Sequence, residues 1–155
     1  MPMGGLYYEQ FSLGQRFDHV LRRTVTEADN LIFSALTHNP AALHLDEEYM
    51  KSSEFGTRIV NSCFTLSLMV GVSVADTTLG TTVANLGWDE VRFPRPVFIG
   101  DTLRTESIVH EMRESKSRAG AGIVTFVHRC FNQRNEEVAV CKRMALMKKL
   151  PAGAA

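Results

Sequence analysis

The chain has 155 residues, of which 45% are hydrophobic, and its 17 Lys plus Arg balance its 17 Asp plus Glu. That length predicts one domain over 1–155 with a core that needs no disulfide or metal staples, because a chain of this size buries roughly 68–70% of its unfolded surface. Zero net charge argues against binding nucleic acid or a membrane by bulk electrostatics, and it opposes self-association only weakly.

The first ten residues, MPMGGLYYEQ, hold no apolar run of signal-peptide length. Gly14 to Arg16 predicts a turn into a strand over 17–25. Thr26 and Asp29 make a capping box with Asp in place of the usual Glu. Ala28, Leu31, Ile32, Ala35 and Leu36 then share one stripe at helical spacing. That helix should stop before Pro40, because the residue ahead of a proline is pushed out of the α region. Residues 39–44, NPAALH, form a loop, and Asp46 caps a short helix over 47–51.

The segment 56–76, GTRIVNSCFTLSLMVGVSVAD, is the centre of the chain. No charge falls between Arg58 and Asp76. Its apolar residues keep to one face at neither helical nor strand period, which marks a buried segment. Asn61, Ser62, Thr65, Ser67 and Ser73 make it too polar to span a bilayer. Its length predicts a central helix starting near 58–62, wrapped by the rest of the chain. Two buried strands turning at Gly71 are the alternative, since Val and Thr are poor helix formers.

Beyond Asp76 the period changes to two. Strands are predicted over 81–93, 102–114, 123–131 and 138–147, separated by Pro94 and Pro96, by Gly100-Asp101, by SKSRAGAG (115–122) and by a turn at 132–135. Residues 150–155 read as a loose tail. Short turns between successive strands predict an antiparallel meander, and the class is α+β, with the apolar helix covering one face of the sheet.

Cys63, Cys130 and Cys141 are odd in number and widely spaced, so they read as buried inert thiols in a reducing, cytosolic compartment. His38 and His44 flank Pro40, where His44 is either a proton-transfer group or a packed ring bonded to a backbone carbonyl. His19, His110 and His128 lie in strands and read as packing or surface residues. Asp46 and Glu47 are explained by capping, so no metal site is expected. The helix start offers unpaired N–H groups beside Asn61 and Ser62. It can either hold a carbonyl oxygen that gains charge or satisfy only its own cap. Lys116 and Arg118 either meet phosphates or form a solvated hairpin; no P-loop follows them.

Three ordered blocks resemble the MaoC-like dehydratase family, which includes the (R)-specific enoyl-CoA hydratases. ALTHNPAALHLDEEY (35–49) is similar to the family's helix and Gly-Asp-x-Asn-Pro-x-His loop. FGTRIVNSCF (55–64) is similar to its Phe-Gly and Ile-Val-His-Gly segment, and VRFPRPVFIGDTL (91–103) to its Arg-Phe, Pro-Val and Gly-Asp-Thr-Leu stretch. The resemblance implies a hot-dog fold, an antiparallel sheet wrapped around a long helix. It also implies a homodimer or higher homo-oligomer and an acyl-CoA thioester as ligand. Water would add reversibly across a 2-enoyl-CoA, with coenzyme A present only as part of the substrate and no metal or redox cofactor.

His44 matches the family histidine, but Asn39 stands where the family has Asp, Asn61 where it often has His, and Ser62 where it has Gly. An Asn cannot take a proton, so the resemblance implies either that His44 alone is base and acid, with Asn39 positioning the water, or that another carboxylate helps, Asp46 and Glu47 being the nearest in sequence. The wider pattern is nearest the mesaconyl-CoA and itaconyl-CoA hydratase branch, whose branched dicarboxylic acyl groups would require a cation, from Arg58 or Arg92. Both arginines read equally well as surface ion-pair residues. A hot-dog thioesterase and a non-catalytic acyl-CoA-binding protein are the rival readings.

Overall fold

The computed structural model describes residues 4–153. They form β1 (Arg16–Thr24), α1 (Glu27–Leu36), α2 (Ala42–Leu45), α3 (Glu47–Met50), α4 (Ser62–Thr77), β2 (Thr82–Arg92), β3 (Thr102–Glu114), β4 (Ala121–Phe131) and β5 (Glu137–Lys148). Expectations for residues 1–3 and 154–155 lie outside that range. The predicted caps form as spaced. Thr26 Oγ1 accepts the Asp29 amide at 3.2 Å, and Asp29 Oδ2 accepts the Thr26 amide at 2.8 Å. Asp46 Oδ1 accepts the Tyr49 amide at 2.9 Å.

The uncharged central segment is one helix of 16 residues, α4, so tertiary packing overrides the weak propensity of its Val and Thr residues. It is not buried all round. Thr65, Met69, Val72, Ser73 and Thr77 face inward, while Ser62, Cys63, Ser67 and Gly71 form an exposed stripe of small residues. Cys63 is therefore exposed rather than buried. Cys130 and Cys141 are buried, and burial pushes their thiols up to about 12 and about 11. Helix α1 also differs from expectation: its buried residues are Asn30 and Ser34, and Ile32 and Leu36 are 59% and 76% exposed.

The five strands form one antiparallel sheet in the order β1-β3-β4-β5-β2. β3, β4 and β5 are the expected meander, but β2 pairs with β5 at the far edge instead of with β3. Pro94 and Pro96 lack the N–H groups a hairpin ladder requires, so residues 93–101 cross over instead of turning back. This crossing segment meets the residues just ahead of α4. The Val60 amide donates to the Val97 carbonyl at 2.8 Å, and Ile59 bridges Phe98. Asp101 holds the segment, accepting the Phe98 amide on Oδ2 at 2.9 Å and Gln133 Nε2 on Oδ1 at 2.7 Å. Gly100, at φ +94°, makes the turn that a side chain would strain.

Met69 of α4 packs among Val25, Leu103, Cys130, Val138 and Cys141. A second cluster around Phe11, Val109, Phe126 and Met147 is covered by the N-terminal segment, whose Tyr8 ring lies so close to Gly122 that a Cβ there would sit 2.2 Å from it. The tail is fastened where it begins: the Leu150 amide donates to a Glu9 carboxylate oxygen at 2.9 Å.

A polar chain crosses the inner face of the sheet. His19 bonds Asp76 Oδ2 through Nδ1 and Ser107 Oγ through Nε2, both at 2.7 Å, and Ser107 Oγ meets His128 Nδ1 at 2.7 Å. A carboxylate only accepts, so His19 Nδ1 carries a proton. Ser107 then donates to His19 Nε2 and accepts from His128 Nδ1. The chain fastens the end of α4 to β1, β3 and β4, which gives His19 and His128 the packing role their strands suggested. His128 Nε2 and Arg143 Nη1 are buried with no protein partner.

Burial, together with the nearby Arg143 cation and His19, lowers the His128 pKa from its ordinary 6.5 to about 3. The unfolded chain therefore binds the extra proton first. The contribution to stability is full above pH 6.5 and is lost as pH falls toward about 3. His128→Gln keeps hydrogen-bonding capacity but cannot titrate. Urea unfolding should find it less stable near neutrality, yet with a shallower loss of stability in acid than wild type; parallel pH profiles would contradict this.

Candidate active site

Residues 30 and 34, one helical turn apart on α1, face inward and gather the elements around the start of α4. Asn30 is fully buried. Its Oδ1 accepts the Asn61 amide at 2.9 Å, and its Nδ2 donates to the carbonyls of His44 at 3.0 Å and Ile59 at 3.4 Å. Ser34 Oγ accepts Asn61 Nδ2 at 3.2 Å, and the Ser34 carbonyl accepts the Asn39 amide at 2.9 Å. Sequence reasoning missed both residues. The available signal was a pair of small polar residues at i, i+4 within a helix that otherwise reads as apolar.

His44 sits in the short helix α2, not in an open loop, and is buried. Its Nδ1 lies 2.9 Å from the Ile59 carbonyl. A carbonyl only accepts, so the neutral ring carries its proton on Nδ1 and presents a lone pair on Nε2. Nε2 has no hydrogen-bond partner among the described residues, and it is not one of the sealed unpaired atoms. Asn39 is half-buried, and its Oδ1 accepts the Ala41 amide at 3.0 Å, which leaves Nδ2 to donate elsewhere.

Asn61 is the N-cap of α4. Its Oδ1 accepts the Cys63 amide at 3.0 Å, so its side chain is used up in capping and in the bond to Ser34. The Ser62 amide has no acceptor among the described residues. Beside it lies a cavity of about 250 Å³ lined by Ser62, Thr65, Ile59, Val60, Phe93 and Arg95, among others. Thr65 Oγ1 is buried without a partner. Asn39 and His44 do not line this cavity; His44 is joined to its wall through Ile59.

The four basic residues singled out from the sequence lie elsewhere. Arg58 bonds Glu47 through Nε and Glu27 through Nη2, both at 2.7 Å, and the Arg58 bond holds the Glu47 carboxyl below its usual range. It is a clasp between α1, α3 and the approach to α4. Arg92 lines a separate hollow with Glu90 and Lys142. Lys116 and Arg118 lie in the β3–β4 hairpin and do not line the cavity at the start of α4. Among the described residues no three His, Cys, Asp or Glu side chains come together as a metal site, and no helix is long and apolar enough to cross a membrane.

The chain is similar to known proteins in sequence and in fold. The MaoC like domain matches residues 9–128. Mesaconyl-CoA hydratase from Cereibacter sphaeroides is 33% identical over 145 residues, covering 94% of this chain and 42% of that protein, so the chain spans less than half the length of this curated relative. The X-ray structure of a monoamine oxidase regulatory protein from Archaeoglobus fulgius aligns at 34% identity and a TM-score of 0.86, over 97% of this chain and 99% of that one. A Mycobacterium tuberculosis protein with a double hot-dog fold aligns at 22% identity and a TM-score of 0.88, over 100% of this chain and 48% of that one. That last likeness speaks for the fold alone, a hot-dog in which the five-stranded sheet curls around α4.

Replacing Asn30 by Leu would strand the Asn61 amide and the His44 carbonyl, while the Ile59 carbonyl keeps His44 Nδ1; the cost is about 1–3 kcal/mol for each unsatisfied group. Asn30→Leu is expected to lose roughly 2–5 kcal/mol in urea unfolding. A loss no larger than that of an exposed substitution such as Ile32→Ala would contradict the bracket.

Proposed function

The chain belongs to the MaoC-like domain family, and from that premise we propose that it is a hydro-lyase that adds water reversibly across the double bond of a 2-enoyl-CoA. The observation that carries this reading is the tautomer of His44: the Ile59 carbonyl, two residues ahead of the α4 cap, accepts a hydrogen bond from Nδ1–H and leaves the Nε2 lone pair of the neutral ring free. In the proposed reaction the thioester oxygen accepts the free Ser62 amide at the positive end of α4. That donor stabilises the enolate that forms when hydroxide adds at the β-carbon. His44 Nε2 takes the proton from the water and returns one to the α-carbon, so the proton count closes. Asn39 Nδ2 holds the water but takes no proton.

The name of the 33%-identical relative supports a finer proposal, a branched dicarboxylic acyl group of the mesaconyl type. We also propose that two copies of the chain pair through the free edge of β2, where Leu86, Trp88 and Val91 are exposed.

The test is a hydration assay on crotonyl-, mesaconyl- and itaconyl-CoA that follows enoyl absorbance and free thiol together. Absorbance should fall without thiol release. His44→Ala should lower kcat by about 10²–10⁴-fold while leaving acyl-CoA binding measurable. Thiol release would favour a thioesterase, and inertness on all three would contradict the reading.

A further inference from the structure

The cavity beside the start of α4 is lined by a charged residue that the sequence did not single out. Arg95 stands between Pro94 and Pro96 on the crossing segment. A proline fixes φ on one side, and on the other the residue before a proline is kept extended. The Val60–Val97 hydrogen bond at 2.8 Å and the Ile59–Phe98 bridge anchor the same segment. The guanidinium is thus carried on a stiff stretch of backbone.

Arg95 is the only charged residue lining this cavity, whose remaining walls are apolar apart from Ser62 and Thr65. It makes no ion pair among the described residues. Its field reaches Glu136, but that carboxylate is already held by Asn132 Nδ2 at 2.8 Å and Arg134 Nε at 2.9 Å. Arg95 is exposed at the rim of this apolar hollow, where its planar fork can take a carboxylate bidentately in exchange for water. A volume of about 250 Å³ suits a short acyl group.

We infer that Arg95 is the specificity-determining residue for a terminal carboxylate on the acyl group. Arg58 and Arg92 do not fill that role, because one is clasped by Glu27 and Glu47 and the other lines a different hollow. This inference rests on the proposed function in placing the thioester at the start of α4. It names the acyl class that the site prefers, a short chain ending in a carboxylate.

The test is a binding titration with glutaryl-CoA and valeryl-CoA, which have equal carbon counts, lack the reactive double bond and differ in the terminal carboxylate. Wild type should prefer glutaryl-CoA, and Arg95→Gln should shrink the ratio of the two affinities by about 2–5-fold, the range of an exposed ion pair. Arg95→Lys should restore part of it. Equal weakening of both ligands would mean that Arg95 meets a coenzyme A phosphate, and no change in either would make it a solvated cation; both results overturn the inference. Because no turnover is needed, the outcome separates from the hydration assay. Inert enoyl-CoAs with an intact Arg95 effect would sink the reaction and keep the residue, whereas hydration with an unchanged ratio would do the reverse.

Discussion

One buried carboxamide carries the mechanics of the site. The backbones of α2 and of the approach to α4 meet α1 where none can continue a helix or a ladder, so their polar groups need a partner from outside. Asn30 offers one acceptor and two donors, and it meets one amide and two carbonyls. In a dry interior these bonds are strong, and the loss of any of them is costly. The Ile59 carbonyl that orients the His44 ring is one of the groups that Asn30 holds. His44 and the start of α4 are therefore held by the same side chain.

The same economy explains the inverted face of α1. Asn30 and Ser34 turn inward because the loop and the α4 cap need their polar atoms, which leaves Ile32 and Leu36 outward. The crossing of residues 93–101 has a comparable consequence. By carrying the chain from the β2 edge to β3 on the other side of the sheet, it lays a proline-stiffened wall against the start of α4. Without that crossing the cavity would have no outer side. The other end of α4 is secured by the chain from Asp76 through His19 and Ser107 to His128. The helix is thus fastened at both ends, and at its start only the Ser62 amide is left without an acceptor among the described residues.

Much of the fold was written in local chemistry. The capping boxes, the period of the strands, the turn at Gly100 and the length of the uncharged segment all act within a few residues, and each appears where the spacing put it. What failed was non-local. Nothing local to β2 says that its partner is β5, and the helical stripe of α1 gave no sign that tertiary polar bonds would outweigh its apolar face. The site was readable in part. Of the residues proposed for the site, His44 and Ser62 stand out in the sequence, because a histidine near a proline and a helix start each carry their own chemistry. Arg58 and Arg92 were reasonable from sequence neighbourhood alone, but Glu27 and Glu47 capture the first and the twist of β2 carries off the second. Arg95 acts through residues distant in sequence, so no short window could show it, and Asn30 left only the faint local mark of its i, i+4 spacing with Ser34.

The central claim is that the free amide at the start of α4 holds the thioester oxygen. The direct measurement is the infrared stretch of a saturated acyl-CoA, isotope-labelled at its thioester carbon, free and bound to the protein. A donor aimed at that oxygen weakens the C=O bond, so the account predicts a band at lower frequency on binding. A bound band at the solution frequency or above it would contradict the account.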